Sequence, residues 1–114
     1  MALSHPLPYQ VVELVAQRFR ALGEPIRIRL LERLREGEAS VSELVTVSDT
    51  TPQNVSKHLN VLMQNGLVER RKRGTASYYR VADESIYELC EQVCESIDRQ
   101  VSELGDLVAA SRAA

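Results

Sequence analysis

The chain has no tryptophan, one phenylalanine and four tyrosines. An aromatic-lined ligand pocket is therefore not suggested. It has two histidines, His5 and His58, and two cysteines, Cys90 and Cys94. No nucleophile–base–acid constellation can be assembled from them, and no Gly-rich phosphate loop is present, so an enzyme is not supported and no cofactor is implied. No apolar run approaches the ~20 residues of a membrane span. Residues 1–8 lack the basic and apolar regions of a secretory signal. A cytoplasmic protein without a membrane partner is the expectation. Internal repeats, low-complexity segments and linkers are also missing. The 114 residues read as a single domain, large enough for a core without disulfides or a structural metal.

Acidic excess is slight, with a net charge of −2, but its distribution is uneven. Residues 69–80 hold five bases (Arg70, Arg71, Lys72, Arg73, Arg80) and one acid, whereas residues 83–103 hold seven acids and one base, Arg99. Phosphate contact needs a basic patch rather than a basic average, and the first of these segments supplies one.

Apolar spacing predicts helices and a hairpin in a definite order. Val11, Val12, Leu14, Val15, Phe19 and Leu22 line a helix over 9–22, ended by Gly23 as its C′ residue. Glu24-Pro25 restarts a helix with Ile26, Ile28, Leu30, Leu31 and Leu34 inward and Arg27, Arg29, Glu32, Arg33 and Arg35 outward, stopped at Gly37. Ser40 to Glu43 is a capping box opening a short helix to about Val47. Ser48-Asp49-Thr50 is a polar turn. A second helix runs from Thr51 to Asn65-Gly66, so 41–65 is a helix-turn-helix. Leu67–Arg71 and Ser77–Val81 read as strands joined at Lys72–Ala76, a β-hairpin over 67–81. A long helix follows over about 84–110, with Ile86, Leu89, Cys90, Val93, Ile97, Val101, Leu104 and Val108 at spacings of three and four.

The helix from Thr51 carries the functional signal. Thr51 is a good N-cap and Pro52 sits where a missing N–H costs nothing. Val55, Leu59 and Leu62 form its apolar stripe. The other face presents Gln53, Asn54, Ser56, Lys57 and His58, rich in amide and hydroxyl groups and free of acid. Such groups hydrogen-bond base edges and phosphates, with Lys adding a point charge; a solvated face is more often mixed Glu and Lys. The candidate DNA contacts are Thr51, Gln53, Asn54, Ser56, Lys57 and His58 on this helix, and Arg70, Arg71, Arg73 and Thr75 on the hairpin. Gln53, Asn54, Ser56 and Lys57 are expected at bases and nearby phosphates, the arginines mainly at phosphates. For His58, backbone contact or helix packing outweighs a lone metal-ligand role.

The order helix, helix, short helix, reading helix, hairpin, long helix is a mainly α winged helix-turn-helix, α-α-α-α-β-β-α. It resembles the ArsR/SmtB family of small dimeric bacterial repressors. The resemblance rests on Ala21 to Leu31, Ser42-Glu43-Leu44, Asn54 to Leu62, Gly66-Leu67-Val68, and Arg73-Gly74 with Tyr78-Tyr79, and covers most of residues 10–95. One departure is the turn: the family usually has apolar–Gly–apolar there, and this chain has Ser48-Asp49-Thr50. Asp tolerates a left-handed backbone, less well than Gly.

The first and last helices carry more apolar surface than one small core absorbs, so a homodimer joined through them is expected. Its target is then double-stranded DNA with an imperfect palindrome. The different-class alternative is a winged-helix module that binds protein instead, although such modules usually lose the polar face or the basic wing. The resemblance also implies sensing of metals, metalloids or redox state, or none. The family's cysteine pair on the short helix before the turn is absent from Ser42–Val47. Its last-helix zinc site needs Asp and His; Asp83 is present and His is not. What remains is Cys90 and Cys94, four apart on one helix, too close along it for an unstrained disulfide with each other. They can pack as small apolar residues, serve as oxidisable thiols, or share a soft metal with a third ligand. Glu88, Glu91 and Glu95 are expected to raise their pKa. The effector, if one exists, is not legible.

Overall fold

A computed structural model describes residues 3–113, apart from the side chain of Ala113. The chain divides into two compact units, 1–83 and 84–114. The first contains α1 (Tyr9–Leu22), α2 (Pro25–Leu34), β1 (Ala39–Ser40), α3 (Val41–Ser48), α4 (Pro52–Gln64), β2 (Val68–Arg73) and β3 (Ala76–Val81); the second is the single helix α5 (Ser85–Ala113).

The helix ends follow local chemistry. Glu24 caps α2 by accepting from the Arg27 N–H, and Pro25 opens it. Ser40 and Glu43 form the expected reciprocal capping box on α3. Asp49 closes α3 in the left-handed conformation, φ 54° and ψ 42°; this is the place where the family's turn usually has Gly. Thr51 caps α4 by accepting from the Asn54 N–H. At its other end Gly66 takes φ +70°, and the bonds Gly66 N–H to Met63 O (3.0 Å) and Leu67 N–H to Leu62 O (2.9 Å) complete a Schellman stop. Gly23 departs from expectation. Its φ is −85°, so no left-handed cap is made. A Cβ there would lie 3.0 Å from the Phe19 carbonyl oxygen, a tight contact that glycine avoids.

Three strands, not two, form the antiparallel sheet, in the order β1-β3-β2. The two-residue β1 pairs Ala39 with Tyr79 and Ser40 with Tyr78. The hairpin strands reach further toward the tip than expected, with Arg73 opposite Ala76. The connection is thereby Gly74-Thr75, with Gly74 supplying the positive φ of +63° that a tight hairpin turn needs at its first position.

The core of the first unit joins Leu30, Leu31 and Leu34 of α2, Leu44 of α3, Val55, Leu59 and Leu62 of α4, and Leu67, Val68 and Tyr79 of the wing. Each fully buried Val or Leu contributes about 1.5–3 kcal/mol, so α4 is held on one face by three such anchors, Val55, Leu59 and Leu62. In α2 the inward face differs from expectation: Ile28 is exposed and Arg27 is half-buried. Residues 27, 30, 31 and 34 share one side at spacings of three, one and three, and Ile28 falls off it. On α1 only Ala21 and Leu22 are buried. Tyr9, Leu14, Val15 and Phe19 are exposed, as are Val93, Ile97, Val101, Leu104, Leu107 and Val108 of α5.

Candidate nucleic-acid interface

With Val55, Leu59 and Leu62 buried, helical geometry fixes what α4 turns outward. Gln53, Ser56 and Lys57 are exposed, and Asn60 and Gln64 continue the same face. This surface of side-chain amides, one hydroxyl and one ammonium carries no acid from Pro52 to Gln64. Asn60 and Gln64 were missed in the sequence, although the three- and four-residue spacing from Gln53 and Ser56 leads directly to them. Thr51 and Asn54 have structural duties. The Thr51 hydroxyl accepts from the Asn54 N–H at 3.1 Å, and Asn54 Nδ2 donates to Thr50 Oγ1 at 3.0 Å. Asn54 thus keeps its carbonyl oxygen and part of its donor capacity for a ligand, while its orientation is fixed.

Of the two roles expected for His58, the structure places it in helix packing rather than at the contact surface. It is 8% exposed and turned inward. Arg27 Nη1 lies 3.0 Å from His58 Nδ1. A guanidinium only donates, so Nδ1 is the acceptor and the ring proton sits on Nε2. The Glu24 carboxylate is 3.8 Å from the same Nδ1, a contact that would need a proton there; the shorter Arg27 bond decides the tautomer. Arg27 also donates through Nε to Ala21 O at 2.6 Å and through Nη2 to Arg20 O at 2.9 Å. One side chain therefore ties the end of α1 to α4. In the sequence Arg27 looked like one more base on an outward face.

The wing splits its charges. Arg73 Nη2 is 2.9 Å and Arg71 Nη1 3.9 Å from the Glu38 carboxylate. Arg73 also lies over the Tyr78 ring, 5.2 Å from its centre. Arg80 pairs with Glu69 at 2.9 Å. Arg70 and Lys72, on the opposite side of β2 from Arg71 and Arg73, make no ion pair among the described residues. Alternation along a strand puts residues 70 and 72 on one face and 71 and 73 on the other. Glu38 was not foreseen, since nothing in Gly37-Glu38-Ala39 marks it as a partner of the hairpin. Thr75 is exposed at the tip beside Gly74.

The two thiols belong to the second unit. Cys90 is half-buried and Cys94 exposed. Burial pushes the Cys90 pKa up, with the neighbouring Cys94 a further cause. The direction matches the sequence expectation; the cause differs, being desolvation and the second thiol rather than the nearby glutamates. Among the described residues no three of His, Cys, Asp and Glu gather into a metal-holding group.

Known proteins share this frame. A helix-turn-helix domain family matches residues 22–71. An HTH-type transcriptional regulator of Methanocaldococcus jannaschii, MJ1325, is 33% identical over 84 residues, which are 73% of this chain and 94% of that protein. The HTH-type regulator Rv0081 of Mycobacterium tuberculosis is 38% identical over 93 residues, 80% of this chain and 81% of the relative. Its crystal structure superposes with a TM-score of 0.73, covering 88% of this chain and 97% of that one at 36% identity. The solution NMR structure of the homodimeric winged helix-turn-helix DNA-binding domain of Mb0332 from Mycobacterium bovis, a possible ArsR-family transcriptional regulator, also gives a TM-score of 0.73. It is 30% identical and covers 90% of this chain and 95% of the domain. The chain spans less of two longer mycobacterial relatives, 58% of the repressor SmtB and 42% of Rv0324. The arsenical resistance operon repressor of Bacillus subtilis is 31% identical over 80 residues, 68% of this chain and 76% of that protein, and with the winged helix-turn-helix neighbours this shows that the chain belongs to the ArsR/SmtB family of transcriptional regulators.

Proposed function

We propose that the protein is a homodimeric, sequence-specific DNA-binding repressor acting in the cytoplasm. The observation that carries this reading is the acid-free outward face of α4, held rigid by three buried anchors and flanked by a wing with unpaired cations. Gln53, Asn54 and Ser56 are the base-reading groups, with Lys57 at a nearby phosphate. Arg70 and Lys72 are the wing cations with the least competition, and Arg71 and Arg73 reach phosphates by exchanging Glu38, because exposed ion pairs are worth only about 0–1 kcal/mol. The relatives support repression and pairing: SmtB is named a repressor and the Mb0332 domain is homodimeric. A two-fold dimer sets its two α4 helices on half-sites roughly 34–36 Å apart, so the operator is an imperfect palindrome. The protein-interaction alternative loses support, because the polar face and the basic wing are both retained.

The experiment is selection of genomic duplexes by the full chain, followed by binding to the selected site at several salt concentrations. Gln53→Ala is expected to cost about 1–3 kcal/mol on the operator and to relax preference at one position. Arg70→Ala is expected to weaken all sequences alike and to reduce the salt slope by about one unit. If no duplex is enriched, the reading fails; if the two variants exchange behaviours, their assigned roles are reversed.

A further inference from the structure

A second polar site lies at the other end of the reading helix. Where the last turns of α1 and α4 meet Arg27 there is an open cleft of about 360 Å³, at the small end of the range for ligand pockets. Its polar walls are Gln17 and Arg20 from α1, Arg27 from α2, and Gln64 and Asn65 from α4; Ala21 and Val61 form the floor. Two guanidiniums and three carboxamides line it, and no carboxylate does.

Helix C-terminal ends normally disfavour anions, because their carbonyls are unpaired. Here several of those carbonyls are already occupied. Arg27 caps the oxygens of Arg20 and Ala21, Gly23 N–H caps Phe19 O, and Asn65 Nδ2 caps Val61 O at 2.9 Å. Arg27 spends three of its five donors on Ala21, Arg20 and His58, which leaves one N–H on each terminal nitrogen. Arg20 is exposed, and its guanidinium makes no ion pair among the described residues. A fixed, partly spent fork beside an exposed one that makes no ion pair among the described residues, ringed by amides, suits a planar or tetrahedral oxyanion.

We propose that this cleft binds a small molecule through an oxyanion head group, a carboxylate or a phosphate monoester, held by Arg20 and Arg27 and oriented by Gln17, Gln64 and Asn65. Binding would draw on the guanidinium that fixes His58 of α4, so occupancy and the setting of the reading helix are coupled. That regulatory consequence rests on the DNA-binding reading; the binding itself does not.

The test titrates the full chain, free of DNA, with inorganic phosphate and separately with succinate, at ionic strength held constant with sodium chloride. NMR follows the side-chain amides of Gln17, Gln64 and Asn65 and the arginine Nε–H groups. Saturable shifts confined to these groups are expected, with Kd on the order of 1 mM for such minimal probes. Arg20→Gln, an exposed substitution that leaves the core intact, is expected to weaken binding about tenfold. A response to phosphate alone assigns a phosphate monoester, and a response to succinate alone a carboxylate. The proposal is overturned if neither probe gives saturable shifts or if Arg20→Gln leaves Kd unchanged. It is also overturned if the same groups respond only to duplex DNA and Arg20→Gln flattens the salt dependence of DNA binding, which would make the cleft a contact with the DNA backbone. Because the titration contains no DNA, its failure is separate from any failure of operator binding.

Discussion

Arg27 holds acceptors on two neighbouring helices with one planar group. A lysine in its place offers a point charge without the fork, and methionine offers nothing, leaving Ala21 O, Arg20 O and His58 Nδ1 unpaired. Arg27→Met is expected to lower unfolding free energy by about 1.5–3 kcal/mol, and Arg27→Lys by somewhat less; urea denaturation with unchanged m-values checks this. Full rescue by lysine would contradict the fork's role. The cysteines belong to the same scale. Residues 90, 94, 97, 101, 104 and 108 follow one another at four and three, so both thiols stand on the same helical row as Ile97, Val101, Leu104 and Val108. Burial disfavours the Cys90 thiolate. At neutral pH Cys90 is expected to alkylate more slowly than an ordinary thiol, and Cys90→Ser with Cys94→Ser to leave operator affinity intact. A double variant that no longer releases DNA under oxidant, where the unaltered protein does, would instead make the thiols the sensor.

At the level of elements, capping chemistry decides much. The backbone and hydroxyl of Ser40 hold the Glu43 carboxyl below its ordinary range, with Arg33 adding to the effect. A lowered carboxyl pKa means the folded state prefers the charged form. Its contribution to stability is therefore present above the ordinary carboxylate range and is lost as pH falls through the lowered value. Glu43→Gln keeps a reciprocal acceptor without a charge. Thermal unfolding from pH 7 down to pH 3 is expected to fall less steeply in the variant, and identical pH profiles would show that Glu43 is not a titrating contributor. These caps are also why the helices were legible: Ser40, Thr51, Pro25, Pro52 and Gly66 announce their ends with local signals. β1 was not legible, because two residues carry no period and Ala39-Ser40 becomes a strand only through pairing with Tyr79 and Tyr78. Helix packing was among the roles expected for His58, but its partner was hidden for a related reason. The histidine neighbours the apolar position Leu59 and has a polar partner, Arg27, thirty-one residues away, and no local pattern reports such a pair. Asn60 and Gln64, by contrast, were readable from spacing alone.

For the whole molecule, the exposed apolar rows of α1 and α5 are more than a monomer ordinarily leaves to water. Each helix has a wet face of charges and amides and a second face of large apolar residues, among them Leu14, Val15 and Phe19 on α1 and Val101, Leu104 and Val108 on α5, that is exposed. A second copy supplies the same face by symmetry, which is what an isologous contact requires. Leu104→Glu tests this with little ambiguity. Leu104 is exposed in the single chain, so a carboxylate there costs the monomer's fold almost nothing, whereas in a joined seam it would be buried beside its own copy without a partner. Sedimentation is expected to show dimer for the unaltered chain and monomer for the variant, with unchanged helical content. Losing the link between two half-site contacts removes the high effective concentration of the second, so operator affinity is expected to drop by about 10²–10⁴-fold, while binding to an isolated half-site stays near its original value. A variant that remains dimeric would move the interface off α5. A monomeric variant that still binds the palindrome at full strength would mean that each α4 reads its half-site independently, and the spacing argument for the operator would fall with the dimer.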